Sequence, residues 1–289
     1  MSTPTQTPPA APELKEVRGP SALGGGPRRF FDLLWLMSAT EFKRIYFGTV
    51  LGYLWSLIRP LMLFGVLLFV FTRVFKIGSD KVEHYPVMLL LGIVLFTFFQ
   101  EATTNSVTSV VAQEGVVRKT QFPRLVIPLS TVLTAAFNFC LNLAIVLVFL
   151  FAFGVDPSWT WLLFPVVLAL LFAFTAGVSM ALSVLYVRFR DIAIIWTVVA
   201  QVLFYATPIL YPINFESDST YERILMLSPL AAIFEQARVW VLNEAQAPTA
   251  VEAAGGWLGL VPAIVIFCAV CVYGVWVFRR EAPRVAEEL

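Results

Sequence analysis

The chain has 289 residues, 59% of them apolar and only 13% charged, with a formal net charge of +1 and a mean hydropathy of +0.81. Soluble domains carry about 45–50% apolar and about 25% charged residues, so a soluble globular fold is excluded. The net charge gives no sign of nucleic acid as a partner, because the basic residues are spread rather than clustered, and none is expected.

Residues 1–27 hold six prolines, four glycines and no apolar run, the composition of a disordered tail. Residues 28–46, RRFFDLLWLMSATEFKRIY, follow as an amphipathic helix. Phe31, Leu34, Trp35, Phe42 and Ile45 can share one face, while Arg29, Asp32, Glu41, Lys43 and Arg44 are polar. A basic, aromatic helix of this kind lies in the plane of the membrane interface, either as a lead-in to the first span or as a platform for a soluble partner.

Crossing a hydrocarbon core about 30 Å thick takes about 20 helical residues. Within 47–280 six stretches qualify: roughly 54–75 around Arg59, roughly 86–111 around Glu101, and the charge-free runs 125–155, 157–187, 192–215 and 253–278. The expected fold class is an all-α polytopic membrane protein with six transmembrane helices, the interface helix, and a short tail at 281–289. With the N-terminus inside, all but five of the 20 Lys and Arg lie on the cytoplasmic side, the five being Arg73, Lys76, Lys81, Arg223 and Arg238. That asymmetry orients the chain with both termini cytoplasmic.

The loop 112–128 between the second and third spans mixes Glu114, Arg118, Lys119 and Arg124 with Val116, Val117 and Phe122, and it contains Pro123 and Pro128. It reads either as a plain connection or as a short amphipathic helix that presses on a soluble protein. In the fifth span, Pro208 and Pro212 lack an amide proton, so a continuous helix would strand carbonyls in hydrocarbon. The helix is therefore expected to stop near Thr207, with Phe204, Tyr205 and Tyr211 at a protein-lined outer mouth or in an ordinary interfacial belt. Residues 214–255 are too apolar to lie free in water and are expected to fold back as short re-entrant helices.

Charges within spans usually face protein or a water path. Arg59 sits near a span end and can snorkel; Glu101, beside Gln100, lies deeper. Asn138 and Asn142, four residues apart, suit bonding between helices. Cys140, Cys268 and Cys271 fall inside spans and read as small buried hydrophobes. His84 is the only histidine, which argues against a His-based metal site. No phosphate-binding G-x-x-x-x-G-K-[ST] loop and no hydrolase motif occurs. The chain is not expected to be an enzyme, and any energy for transport comes from an ion gradient or a separate ATPase.

Several segments together resemble permeases of bacterial ABC polysaccharide exporters. FKRIYFGTVLGYLWSLIRPLMLF, with Leu51, Gly52, Trp55 and Pro60, is similar to that family's entry to the first span. RKTQFPRLVIP resembles its cytoplasmic loop on Lys119, Phe122, Pro123, Arg124 and Pro128. RFRDI and TPILYPI resemble its fifth span on Arg188, Arg190, Asp191, Tyr205, Pro208, Ile209, Tyr211 and Pro212, and SPLAAIFEQAR its outer helices, ending on Arg238. The similarity runs in order over roughly 28–280; Ser228 stands where the family pattern has asparagine.

The resemblance implies a permease of the bacterial cytoplasmic membrane that pairs with a second copy of itself and with two ATPase subunits. Those subunits hold the ATP and magnesium, and this chain binds no cofactor. The implied substrate is a glycan on a polyprenyl-pyrophosphate lipid, as in O-antigen, teichoic-acid or galactan export. Glu114, Arg118, Lys119, Phe122, Pro123 and Arg124 would couple to the ATPase, and Arg59, Glu101, Phe204, Tyr205 and Tyr211 would line the substrate path. Two readings stand beside it: a proton-coupled secondary transporter using Glu101, and a membrane transferase, which needs paired carboxylates or a metal-binding D-x-x-D near a membrane face, where the sequence offers none.

Overall fold

The computed structural model describes residues 27–46, 52–75, 84–115, 123–211, 213, 220–242 and 247–288. Among these residues there is no β-strand. The helices are α1 (Pro27–Tyr46), α2 (Leu54–Phe69, continued by a π-turn Val70–Val74), α3 (Tyr85–Ala112) and α4 (Val126–Ala152). A 3-10 turn (Trp159–Leu163) leads into α5 (Phe164–Arg188), followed by α6 (Ile192–Ala206), α7 (Thr220–Leu225), α8 (Pro229–Leu242), α9 (Ala250–Ala253) and α10 (Trp257–Glu288).

Among the described residues five helices are long and apolar enough to cross a membrane: Leu54–Val74, Tyr85–Ala112, Val126–Ala152, Trp159–Arg188 and Trp257–Glu281. The stretch expected as a full fifth span departs from this. Its helix α6 has 15 residues, about 22 Å at 1.5 Å per residue, and Thr207 is already extended. The helix stops where Pro208 removes the next amide donor. The last span also starts later than expected. Gly255 and Gly256, at φ 76° and 111°, turn the chain between α9 and α10, a conformation that suits residues without a Cβ.

The most buried helix is α3, packed by α2, α4, α5, α6 and α8. Some 72% of its most apolar window is buried, against 11% for α2 and α10. It is nevertheless the least apolar of the five. Lipid is as apolar as a protein core, so hydropathy does not select the helix that goes inside, whereas polar side chains do find protein partners. Cys140 and Cys268 illustrate the same point: both are exposed on the helical surface rather than buried as expected.

Close helix crossings rest on small residues. A Cβ on Gly274 of α10 would lie 2.2 Å from the Gly177 carbonyl oxygen of α5, and one on Gly177 would lie 3.0 Å from the Cys271 Cα. That backbone-to-backbone approach is the means by which membrane helices pack without a hydrophobic driving force.

The helix α1 lies along α4. Its contact face is centred on Ser38, whose hydroxyl donates to the carbonyls of Leu34 and Ser130, while Thr134 Oγ1 donates to the Ser38 carbonyl. Phe31 points away, 63% exposed, as interfacial residues do, while Trp35 and Phe42 set their rings edge-on to Phe137 of α4 at 5.3 Å and 5.4 Å between centroids. The aromatic stripe legible in the sequence is thus divided: Phe31 faces outward, Trp35 and Phe42 reach Phe137, and the buried centre of the contact is a serine.

Candidate functional site

Among the described residues, polar constellations interrupt the apolar bundle toward the end that holds α1 and at the opposite end. The first gathers side chains from four helices. Asn138 Nδ2 of α4 donates to Glu101 Oε1 of α3. Asn142 Nδ2 donates to the Asn138 carbonyl at 2.9 Å and across to the Ser56 carbonyl of α2 at 3.3 Å. The spacing of four residues puts both asparagines on one face of α4, and they bond between helices as expected.

Tyr46, the last residue of α1, joins this group. Burial, and then the Glu101 charge, raise its hydroxyl above the usual phenol range; hydrogen bonds with Asn138 and Ser56 and the Arg59 charge act in the opposite direction. The phenol therefore stays a neutral hydrogen-bonding group at physiological pH. Arg59, whose charge acts on both Glu101 and Tyr46, is itself exposed beside exposed Tyr53 and Trp55. The result is an exposed guanidinium whose charge acts on a hydrogen-bonded carboxylate. Such a group suits an anionic, phosphate-bearing ligand. Tyr46 and Ser56 were not singled out in the sequence; the short separation between Tyr46 and the polar face of the next helix was the available signal.

The second constellation is built on the chain that leaves α6. Thr207, Pro208, Ile209, Leu210 and Ile213 are all buried, although the backbone is not helical. Its polar groups are met by protein. Tyr85 of α3, itself 1% exposed, donates through its hydroxyl to the Leu210 carbonyl at 2.9 Å. Arg238 Nη2 of α8 donates to the Ile213 carbonyl at 3.4 Å and pairs with Glu235 Oε1 at 3.3 Å. Ile209 also packs against Gly92, where a Cβ would come within 3.0 Å of Ile209 Cγ2. Irregular backbone in a membrane protein needs such internal satisfaction.

Around this segment Phe204, Tyr205 and Tyr211 part company. Phe204 is buried, edge-on to Phe96 at 5.2 Å and to Tyr205 at 5.3 Å between ring centroids. It is a core residue that supports Tyr205 rather than an open wall. Tyr205 is 57% exposed. The Tyr211 hydroxyl lies 3.3 Å from that of Tyr221 on α7, and burial followed by this neighbour raises Tyr211 above the usual phenol range. Pro212 lies outside the described residues.

Next to these, α8 is lodged against α3, α5 and α10. Its terminal carbonyls, the groups a helix end leaves unpaired, are capped from the 3-10 turn: Thr160 Oγ1 donates to Trp240 O at 2.6 Å and Trp161 Nε1 to Val241 O at 2.8 Å.

Of the residues expected to meet a soluble partner, Glu114 follows α3, and Pro123 and Arg124 precede α4, Pro123 being exposed. Arg118, Lys119 and Phe122 lie outside the described residues. At the same end, Arg188 and Arg190 lie over the rings of Phe189 and Tyr186, 5.6 Å and 5.1 Å from their centroids.

Comparison with known proteins adds two findings. Residues 32–242 match the ABC-2 type transporter family. The O-antigen export system permease protein RfbA of Klebsiella pneumoniae is 33% identical over 214 residues, covering 74% of this chain and 81% of the relative. A protein of the same name from Myxococcus xanthus is 29% identical over 206 residues, covering 71% of this chain and 78% of the relative.

Proposed function

This chain belongs to the ABC-2 type transporter family, and from that premise we propose that it is the permease subunit of an ATP-driven exporter of lipid-linked polysaccharide. The observation that carries the reading is the match to two O-antigen export permeases over most of both chains. The absence of a phosphate-binding loop from the sequence supports a separate ATPase as the source of energy.

In this reading the protein sits in the bacterial cytoplasmic membrane with both termini inside and α6 completes a set of six spans. Segments α7 and α8 re-enter from outside. One chain offers few faces to enclose a polymer, and closed two-fold pairs are the commonest homo-oligomers, so the path runs between two copies. Two ATPase subunits, carrying ATP and magnesium, dock on α1 and on the loop that holds Glu114, Arg118, Lys119, Phe122, Pro123 and Arg124.

The substrate is a glycan on polyprenyl pyrophosphate. Arg59, with Glu101 behind it, receives the pyrophosphate, because a guanidinium fork matches phosphate oxygens. Tyr205, braced by Phe204, and Tyr211 stand at the outer end, where ring faces stack on sugars and hydroxyls stay wet. The test is reconstitution of the chain with its ATPase in vesicles loaded with polyprenyl-pyrophosphate glycan. Glycan should reach the opposite leaflet only when both subunits and ATP are present; movement without the ATPase would overturn the reading.

A further inference from the structure

At the end of the bundle that holds α1, the last turns of α5 and the stretch 273–281 of α10 line a cavity of about 310 Å³. Val184, Val187 and Val277 form its apolar wall, and Arg188 and Arg280 are its cationic groups. Each guanidinium lies over an aromatic ring: Arg188 is 5.6 Å from the Phe189 centroid and Arg280 is 5.2 Å from that of Trp276. Glu281 is the single carboxylate on the lining, with Oε1 3.9 Å from Arg280 Nε. Two guanidiniums against one carboxylate leave the cavity positive.

We propose that this cavity holds the headgroup of an anionic membrane phospholipid, with Arg188 and Arg280 on its phosphate and the start of its acyl chains along the valines. Four observations converge on that ligand. The cavity sets two guanidiniums against a mainly apolar wall, which matches an amphiphile rather than a free ion. Stacking on a ring holds a guanidinium in place while leaving its fork free for phosphate oxygens. The volume is at the low end of the roughly 300–1,000 Å³ of ligand pockets, enough for a headgroup but not a whole lipid. Phe189, Tyr273 and Trp276 are 54%, 48% and 52% exposed, so the cavity opens on the perimeter of the bundle. Half-exposed Trp and Tyr rings there lie at headgroup level in a membrane, and basic pockets between spanning helices select anionic headgroups.

The test titrates the full chain, purified in neutral detergent, with phosphatidylglycerol and with phosphatidylcholine of the same acyl chains, counting bound lipid by native mass spectrometry. Wild-type protein should prefer phosphatidylglycerol by roughly tenfold, a free-energy difference well within what two charge-assisted contacts supply. The double variant Arg188→Ala/Arg280→Ala should lose the preference, and Arg188→Lys/Arg280→Lys, which keeps charge without the fork, should fall between. Both arginines are exposed, so folding is not at stake; Arg73→Ala, exposed at the opposite end, should change nothing. Glycerol phosphate, the same anion without acyl chains, should compete only weakly. A preference that survives the double alanine variant would overturn the proposal, as would equal retention of phosphatidylcholine. Effective competition by glycerol phosphate would make this a soluble-anion site. Loss of ATPase-subunit association in the alanine variant, with phosphatidylglycerol binding unchanged, would assign the cavity to protein docking instead.

Discussion

Asn142 donates from α4 to the carbonyl of Ser56 on α2, and Ser56 is the residue four positions before Pro60, which stands inside that helix. A residue 60 amide would ordinarily bond to that carbonyl, but proline has none. The asparagine therefore replaces, from a neighbouring helix, the hydrogen bond that the proline removes, so that the carbonyl between the helices keeps a donor. Asn142→Leu should lower stability by about 1 kcal/mol, since hydrogen bonds between membrane helices average about 0.6 and reach about 1.7 kcal/mol. In a Pro60→Ala background the same change should cost less, because residue 60 then donates to Ser56 itself. Thermal or denaturant unfolding of the two single variants and the double variant measures this coupling; strictly additive losses would refute the replacement.

The crossing of α5 and α10 leads to a contrast between two glycines. Gly274→Ala would put a Cβ 2.2 Å from the Gly177 carbonyl oxygen, so the helices must move apart, at about 1–3 kcal/mol for overpacking. Gly65→Ala on α2 meets nothing within 4 Å and should stabilise, by up to about 1 kcal/mol of helix propensity. Opposite shifts of the melting temperature in detergent are expected.

At the opposite end, Tyr85→Phe keeps the ring but leaves the buried Leu210 carbonyl without its donor, a loss of about 1–3 kcal/mol. The variant should be less stable, and the 207–211 segment should open to protease or to hydrogen exchange before the rest of the bundle. Tyr205→Ala and Tyr211→Ala should reduce glycan export at normal protein levels, whereas the corresponding Phe variants, which keep the stacking face, should be mild. Unchanged export by the alanine variants would return both tyrosines to an interfacial belt.

Coupling is tested in the 112–128 loop. Replacing Arg118, Lys119 and Phe122 together by alanine should leave membrane insertion intact while ATP hydrolysis by the partner continues without export. Simultaneous measurement of hydrolysis and export in vesicles reads this out, and normal export would remove the loop from the mechanism.

Glu101→Gln separates the proposed transporter from a proton-coupled one. Glutamine still accepts from Asn138 through its carbonyl oxygen and removes a charge from a span, which costs stability where it is unpaired. ATP-dependent export should persist in the variant. Transport that follows a proton gradient in the wild type and loses that dependence in the variant would favour the proton-coupled reading.

Much of the architecture was legible because its causes are local. An uninterrupted apolar run must cross lipid or be buried, so five of the six expected spans correspond to helices of spanning length. Proline without an amide proton ends α6 at Ala206, and the 28–46 pattern forms α1. The pair Asn138 and Asn142 was legible as bonding between helices, because an amide in a span needs a partner. Their partners, Glu101 and the Ser56 carbonyl, depend on how α2, α3 and α4 are arranged, and no spacing within one helix carries that.

By itself, then, the sequence determined the class of solvent, the number and approximate limits of the apolar segments and the places where the backbone must break. Tertiary structure decided which helix is central, which face of α1 is packed, and which aromatics are core. In hydrocarbon an outward Phe and an inward Phe have the same surroundings by polarity, so Phe204 behind Tyr205 cannot be told from a lipid-facing ring by composition. Ser38, Gly177, Gly274 and Tyr85 hold the packing because they allow close approach or satisfy a buried carbonyl. Those properties belong to pairs of residues far apart in the chain, and only the folded arrangement brings the pairs together.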